Sequence, residues 1–338
     1  MRVLVTGGTG FIGSHSVAAL HRAGHEVRLL VRDPGAVDRA LAPLGLSGQD
    51  VQTVVGDVTD EESVTRAVEG CAAVLHAASV YSFDSRRHRR MREVNVGGTE
   101  LVLGAARRAG ADPIVHVSSF AALAPTGGRA LRTDLPVGRP RERYMASKAA
   151  AEQVARRHQD QGAPVVITYP MATLGPHDPH LGDQLGRLRA LLRGLMPIWP
   201  GGGFPVGDVR DVADLHVAAL HPGRGPRRLL APGRHLSTRE FVGTVREVTG
   251  RRLPVVYLPS AAVLPVGAAT LALQRIWPWH IPVEYGAVYT CHCDIRLAGD
   301  DPAPPSRPVA QTVQDATAWL YRTGLLTRRQ AGRAAQRD

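Results

Sequence analysis

Cysteine is scarce, with Cys71, Cys291 and Cys293 the three thiols in a chain of 338 residues. Thiols so few and so unevenly placed exclude the disulfide framework of a small secreted fold, and they point to a reducing, cytoplasmic setting. A charged leader with an apolar stretch and a small-residue cleavage site is also missing. The first residues run straight into an apolar strand, Arg2-Val3-Leu4-Val5. Acidic side chains are outnumbered, leaving a formal net charge of +11, a balance that can attract nucleic acid, anionic lipid or a phosphorylated cofactor. The densest basic run, Arg86, Arg87, Arg89, Arg90 and Arg92, lacks the interleaved aromatics of a nucleic-acid platform. It reads as a solvated surface, and nucleic acid is set aside as a partner. Cys291-His292-Cys293 has no second Cys or His pair at the spacing of a four-coordinate site, so no metal is expected. Cys71 reads as a small buried apolar residue, and Trp199, Trp277 and Trp279 as core fillers or substrate contacts.

What is present is an alternation of short β-branched runs with amphipathic stretches, the pattern of a parallel sheet covered by helices on both faces. Strands are expected at Arg2 to Thr6, Glu26 to Val31, Val51 to Val55, Ala73 to His76, Ile114 to Ser118 and Val165 to Tyr169. Helices are expected at Ile12 to Ala23, Glu61 to Glu69, Asn95 to Ala109 and Tyr144 to Gln159. The fold class is therefore α/β, a doubly wound parallel sheet spanning residues 1–169, with a helix near 209–220 returning to it. Pro and Gly become frequent from Pro170, and periodicity survives at Val209 to Ala219, Thr238 to Thr249 and Val309 to Tyr321. Residues 170–326 are expected to form a smaller α+β lobe that selects substrate, and residues 327–338 a frayed tail. Leu253 to Gln274 carries no charged side chain. It is long enough to cross a bilayer, but Pro254, Pro259 and Pro265 interrupt it. An apolar lid or buried helix is expected there, with contact to a membrane surface as the alternative.

Gly7, Gly10 and Gly13 form a G-x-x-G-x-x-G turn that follows the first strand and opens a helix, with Phe11 and Ile12 inside it. Such glycines allow a tight turn, backbone approach to a pyrophosphate and close helix–strand packing, and the helix N-terminus offers N–H donors to the anion. At the end of the second strand, roughly twenty residues on, an NAD-binding chain places an acid for the ribose hydroxyls. Here Val31 is followed by Arg32 and Asp33. The guanidinium of Arg32 suits a 2′-phosphate and favours NADP(H), Arg28 being a second candidate; with Asp33 on the ribose the cofactor would be NAD(H). Asp57 and Val58 suit an adenine ring, the carboxylate accepting from its exocyclic amine and Val58 packing on its face.

Tyr144 and Lys148 stand four residues apart on an amphipathic helix, hence on one face. A free phenol titrates near 10, and an adjacent ammonium can lower it towards the working range. Ser118 and Ser119 end the fifth strand at the carboxyl edge, where a hydroxyl can hold a substrate carbonyl.

Together these residues resemble the extended short-chain dehydrogenase/reductases, also called the NAD-dependent epimerase/dehydratase family. The likeness rests on Thr6 to Ser14, Gly56-Asp57-Val58, His76-Ala77-Ala78, Asn95 to Thr99, Val117-Ser118-Ser119, Tyr144 to Lys148, Tyr169-Pro170, Gly175-Pro176 and Asp211-Val212-Ala213. It implies a Rossmann domain, Ser119, Tyr144 and Lys148 as the catalytic triad, and Ala77, Ala78, Asn95 and Ser118 beside the cofactor. It also implies Pro170 and Met171 against the nicotinamide, Gly175 to His180 at the substrate mouth, and a homodimer through the helices around Asn95 to Ala109 and Tyr144 to Gln159. Val31-Arg32-Asp33-Pro34 looks like the dihydroflavonol-reductase and 3β-hydroxysteroid-dehydrogenase branch. Thr168 to Ala172 lacks the Arg or Asn with which sugar-nucleotide epimerases seat their substrate. The expected activity is hydride transfer between NADP(H) and a carbonyl or secondary alcohol of an apolar small molecule. The alternatives are an epimerase or dehydratase that returns the hydride, and a non-catalytic NADP(H)-binding protein.

Overall fold

The computed structural model describes residues 1–81, 88–273, 285–298 and 306–336. Arg86, Arg87, Gln274, Trp277, Trp279 and residues 337–338 lie outside that range. The first half runs β1 (Arg2–Thr6), α1 (Phe11–Arg22), β2 (Glu26–Val31), α2 (Gly35–Leu41), β3 (Gln52–Val55), α3 (Glu61–Val68), β4 (Ala73–His76), α4 (His88–Arg92), α5 (Thr99–Arg108), β5 (Ile114–Val117), α6 (Arg143–Asp160) and β6 (Val165–Tyr169). All six expected strands form. Successive residues of β1 enter opposite faces: Leu4 joins the core under α3 and α5, while Val3 and Val5 join Val17, Leu20 and Val37 beneath α1 and α2. That two-sided burial is why these strands read as continuous apolar runs. Helix starts follow local chemistry. Asp60 accepts from the N–H of Ser63 at 3.1 Å, and Glu61 and Glu62 fill the first turn of α3, where negative charge meets the positive end of the helix dipole.

The second half runs β7 (Ala172–Leu174), α7 (Asp183–Leu192), β8 (Ile198–Pro200), β9 (Gly203–Asp208), α8 (Val209–Ala219), β10 (Arg227–Leu230), β11 (Arg234–Ser237), α9 (Thr238–Thr249), β12 (Val256–Leu258), α10 (Ser260–Leu273), α11 (Tyr285–Cys293), α12 (Val309–Arg322) and α13 (Arg328–Ala331). The large sheet has the order β10-β6-β5-β4-β1-β2-β3, with every pair parallel. Strand β10 was not expected, because Arg227-Arg228 gives it no apolar run; those two side chains reach carbonyls of Ala219 and Thr133 at the sheet edge. Two small sheets, β11-β9-β7 and β12-β8, belong to the later part. Asp208 ties α8 to α12: it caps α8, chelates Arg210 at 2.7 and 2.9 Å and accepts from Thr312 at 2.7 Å, while Arg210 reaches Asp315 at 2.7 Å.

Two expectations are corrected here. The tail is built, not frayed, over 327–336: Thr327 and Gln330 cap each other in a capping box, Ala331 and Ala334 are buried, and Arg333 donates to the carbonyl of Glu247 at 2.6 Å. Its Arg- and Gln-rich composition hid two alanines that seat against the rest of the fold. The described part of the Leu253–Gln274 stretch is not a buried helix, since Ala261, Ala262, Pro265, Val266 and Ala269 are exposed. It passes from buried Leu253 through β12 into α10, which contains Pro265, and among the described residues no helix is long and apolar enough to cross a membrane.

Deleting residues 327–338 is expected to lower the thermal midpoint by roughly 3 °C, the size of shift that a loss of about 2 kcal/mol gives in a chain this long. An unchanged midpoint in differential scanning calorimetry would mean that these contacts contribute nothing.

Candidate active site

The order of strands reverses between β1 and β4, so a crevice opens at their carboxyl ends. Gly7 sits there with φ +74°, and a Cβ on it would stand 2.6 Å from the nitrogen of Ala78. A Cβ on Gly13 would stand 2.0 Å from the carbonyl oxygen of Gly7. Gly10 is different, with one neighbour at 3.3 Å and otherwise open space. The crowded glycines press α1 onto β1, and the open one leaves room at the helix start. No side chain caps α1 and no acid occupies its first turn, so the backbone donors around Phe11 and Ile12 face the crevice. Thr6 Oγ1 bonds His76 Nδ1 at 2.7 Å and accepts from the N–H of Ala78 at 3.3 Å, fixing the segment Ala77-Ala78 beside the turn. This backbone cradle fits a dinucleotide pyrophosphate.

Arg32 is exposed at the end of β2. The carboxylate of Asp33 is engaged, accepting from the N–H of Gly35 at 2.9 Å and from Arg39 at 3.0 Å. Arg28 is spent on Gln52 and the carbonyls of Ala67 and Glu69, so it is structural. Asp57 accepts from the N–H and hydroxyl of Thr59 and pairs with Arg90. Burial opposes its charge, but these bonds outweigh that and hold the carboxyl below its usual range. Val58 packs on Gly98, where an added Cβ would lie 3.0 Å from Val58 Cγ2. Arg90, read as solvated surface, thus stands at the expected adenine corner. Spacing in sequence gave no sign of that pairing.

Helix α6 begins at Glu142, whose two oxygens accept from the N–H groups of Tyr144 and Met145 at 2.9 and 2.8 Å. Tyr144 meets the ring edge of Tyr81, with centroids 4.3 Å apart. Lys148 is buried and donates to the carbonyl of Val117 at 3.2 Å. Burial lowers its pKa from 10.5 to about 8, and the charge of Glu152 offsets part of that. The expectation that Lys148 pulls the phenol down is corrected: burial raises Tyr144 well above 10, and the carboxylates of Glu142 and Asp183 raise it further. The tyrosine is held protonated. Lys148 is also the single lysine of the chain, a compositional signal that spacing alone did not convey.

Ser119 caps a short 3-10 turn, Phe120–Leu123, accepting from the N–H of Ala121 at 3.2 Å and so keeping its hydroxyl hydrogen for another acceptor. Ser118 Oγ is buried and lacks a partner among the described residues, as do both ring nitrogens of His116 on the same strand. Such orphaned groups beside Lys148 fit a polar ligand at the end of β5. His116 stacks on His76 at 5.6 Å, and burial keeps both rings neutral.

Asn95 serves as a bracket between the segment after β4 and helix α6. It lies in a π-helical turn, Glu93–Gly98, a form frequent at functional sites. Its amide accepts from Val80 N–H and Ser79 and donates to Val80 C=O and Ser147, which uses its full capacity. The carbonyl of Pro170 accepts from Phe120 N–H at 3.1 Å. Met171 is buried with its Cγ turned to Gly233, where a Cβ would come within 2.7 Å. In the segment after Gly175, the carbonyl of Pro176 bonds His15 at 3.0 Å, and His180 Nε2 meets the carbonyl of Thr9 at 3.1 Å. This segment is fastened to the glycine turn, and Asp178 folds it by accepting from the N–H groups of His180 and Gly182.

Residues 3–229 match the family model described as NAD dependent epimerase/dehydratase family. A 4-hydroxy-2-methyl-3-oxo-4-farnesyl-3,4-dihydroquinoline-1-oxide ketoreductase from Stigmatella aurantiaca is 32% identical over 357 aligned positions, covering 99% of this chain and 98% of its own. Sterol demethylase protein B from Methylococcus capsulatus is 31% identical over 280 residues, 81% of this chain and 83% of its own. Among solved structures, that of gox2253 superposes with a TM-score of 0.80 at 28% identity, covering 96% of this chain and 99% of that one. The Thermus thermophilus UDP-glucose 4-epimerase complex with NAD gives 0.61 at 27% identity, covering 87% and 99%.

Labelling with 15N-lysine should yield one side-chain resonance, titrating at about 8 where an ordinary lysine titrates at 10.5. Between those values the unfolded chain holds more protons than the folded one, so stability rises with pH across that window. A midpoint at the ordinary value would show the ammonium to be solvated.

Proposed function

The chain belongs to the NAD dependent epimerase/dehydratase family, and on that premise we propose that it is an NADP(H)-dependent reductase of an apolar carbonyl compound. The observation that carries this reading is a half-buried Tyr144 at the start of α6, a helix packed on the turn that Ser119 caps, with apolar Phe120 and Ala121 where a dehydratase would need an acid-base pair; desolvation and nearby carboxylates favour its protonated form. When bound, the nicotinamide supplies a hydride to the carbonyl carbon. Ser119 donates its hydroxyl hydrogen to the carbonyl oxygen and orients it. Tyr144 releases its proton to that oxygen as negative charge develops, and a phenol kept protonated by burial is in the right state for this direction. Lys148 provides positive charge beneath the phenolate left behind. Ketoreductase and sterol-directed relatives support an apolar substrate.

Preference for NADP(H) is supported by the pairing of Asp33 with Gly35 and Arg39, which leaves Arg32 beside the place where a 2′-phosphate would lie. The Arg32→Glu variant is expected to weaken NADPH binding by at least tenfold with little change for NADH, since a charge-assisted hydrogen bond contributes about 1.5–3 kcal/mol. Equal losses for both cofactors in a fluorescence titration would remove Arg32 from that role.

The activity itself is tested by following nicotinamide absorbance over a panel of apolar ketones, aromatic aldehydes and nucleotide-sugars. Net NADPH oxidation by a ketone should fall by about a hundredfold or more in Tyr144→Phe, the range for loss of a general acid. Conversion of a nucleotide-sugar without net oxidation would put an isomerase in place of the reductase.

A further inference from the structure

Helix α10 presents an unusual face to solvent. Its exposed positions are Ala261, Ala262, Pro265, Val266 and Ala269, which recur on one side of the helix and carry no polar group. The other side is packed: a Cβ added to Gly267 would stand 3.2 Å from the Cα of Tyr285 in α11. A surface helix normally turns polar residues outward and keeps its apolar stripe for the core. Here both sides are apolar.

The adjoining ribbon extends this surface. Val256 is 60% exposed, Leu258 39%, Ile198 53% and Leu195 63%, and Val266 on α10 is 56% exposed. Of the eight large hydrophobic side chains exposed among the described residues, these are five. Val256 and Ile198 are paired neighbours, Leu258 lies two positions on along the same ribbon, and Leu195 and Val266 flank the two strands in the chain, unlike the single exposed residues that need no explanation. Parallel pairing sets Val256 against Ile198 and Leu258 against Pro200, so the two strands offer one continuous edge. Exposed Arg193 and Arg252 precede the two strands at the same end of the ribbon, and the guanidinium of Arg239 lies 4.3 Å from the ring centre of Tyr257. No carboxylate occurs between Asp183 and Asp208 or between Glu247 and Glu284.

We propose that the β8–β12 edge and the outer face of α10 dock on the surface of an anionic lipid bilayer. The apolar row enters the boundary between headgroups and acyl chains, and the arginines at its rim meet lipid phosphates. Charge complementarity selects this occupant. A second copy of the chain would set one arginine rim against another, and the two stretches of chain that carry the rim supply no carboxylate of their own. The assignment is independent of the reaction catalysed.

The test is flotation of the full chain with vesicles of phosphatidylcholine, alone and mixed with phosphatidylglycerol. Binding is expected with the mixed vesicles at low salt, and at least tenfold weaker binding with neutral vesicles or at high salt. The Val256→Glu and Leu258→Glu variants should bind at least tenfold more weakly while keeping the parent thermal midpoint, since both positions are exposed. Absence of flotation would overturn the proposal, and so would equal binding to both kinds of vesicle. A concentration-dependent dimer abolished by Val256→Glu, with no flotation, would assign the surface to a second copy instead.

Discussion

A Cβ on Gly13 would stand 2.0 Å from the carbonyl oxygen of Gly7, and one on Gly7 would stand 2.6 Å from the nitrogen of Ala78. Three backbone segments, the turn after β1, the first turn of α1 and the chain leaving β4, therefore touch with no side chain between them. The rest of the site hangs on that contact. It aims the start of α1 into the crevice at the strand-order reversal, and it brings Thr6 within reach of both His76 and Ala78. It also provides the anchor for the later part of the chain, through His15 to Pro176 and His180 to Thr9. A substitution at either glycine would separate layers that every other interaction assumes to be in contact.

Electrostatics at the other end of the crevice follow from burial more than from pairing. Lysine and arginine together number 41, yet all but Lys148 are arginine. An arginine keeps its proton at any working pH, whereas a buried lysine can approach deprotonation, and the position under Tyr144 is where the chain departs from its own habit. The cation meets Val117 C=O, and the phenol above it feels the carboxylates of Glu142 and Asp183. Glu142 is largely spent on capping α6, so it fixes the tyrosine's backbone while also favouring the protonated phenol. Burial and the two carboxylates favour the protonated phenol that the proposed reduction needs.

Legibility in the sequence divided along a physical line. The glycine turn, the six central strands and the Tyr144–Lys148 pair are set by short-range periodicity, and each could be read from neighbouring residues. Asn95 could not, because its three partner residues lie 15 to 52 positions away and the π-helical turn that aims it has no sequence signature. Arg90 against Asp57 is likewise a contact across 33 positions. Strand β10 looks too basic for a sheet until its arginines are seen to leave over the edge, and α13 looks like a tail until Ala331 and Ala334 are counted as core. The raised phenol was missed for another reason: spacing shows that Lys148 can face Tyr144, but only the fold shows where its ammonium is held.

The same division bears on the lobe after Pro170. In the part of the chain after β7, helix α8 is tied to α12 and the residues before it through polar fasteners whose geometry is specific, such as Asp208 with Arg210 and Thr312 or Asp211 with the N–H of Arg307. The margin formed by β8, β12 and the described part of α10 presents Val256, Ile198 and Val266 to solvent. An apolar carbonyl compound partitions into bilayers, so an enzyme acting on one gains local substrate concentration by sitting on the membrane surface. Docking through a margin that is separate from the glycine crevice would leave the cofactor entrance facing water, where a charged dinucleotide must arrive. Two ligands of opposite solubility would then reach one site from opposite solvents, and a later part of uneven polarity is what such an arrangement would require.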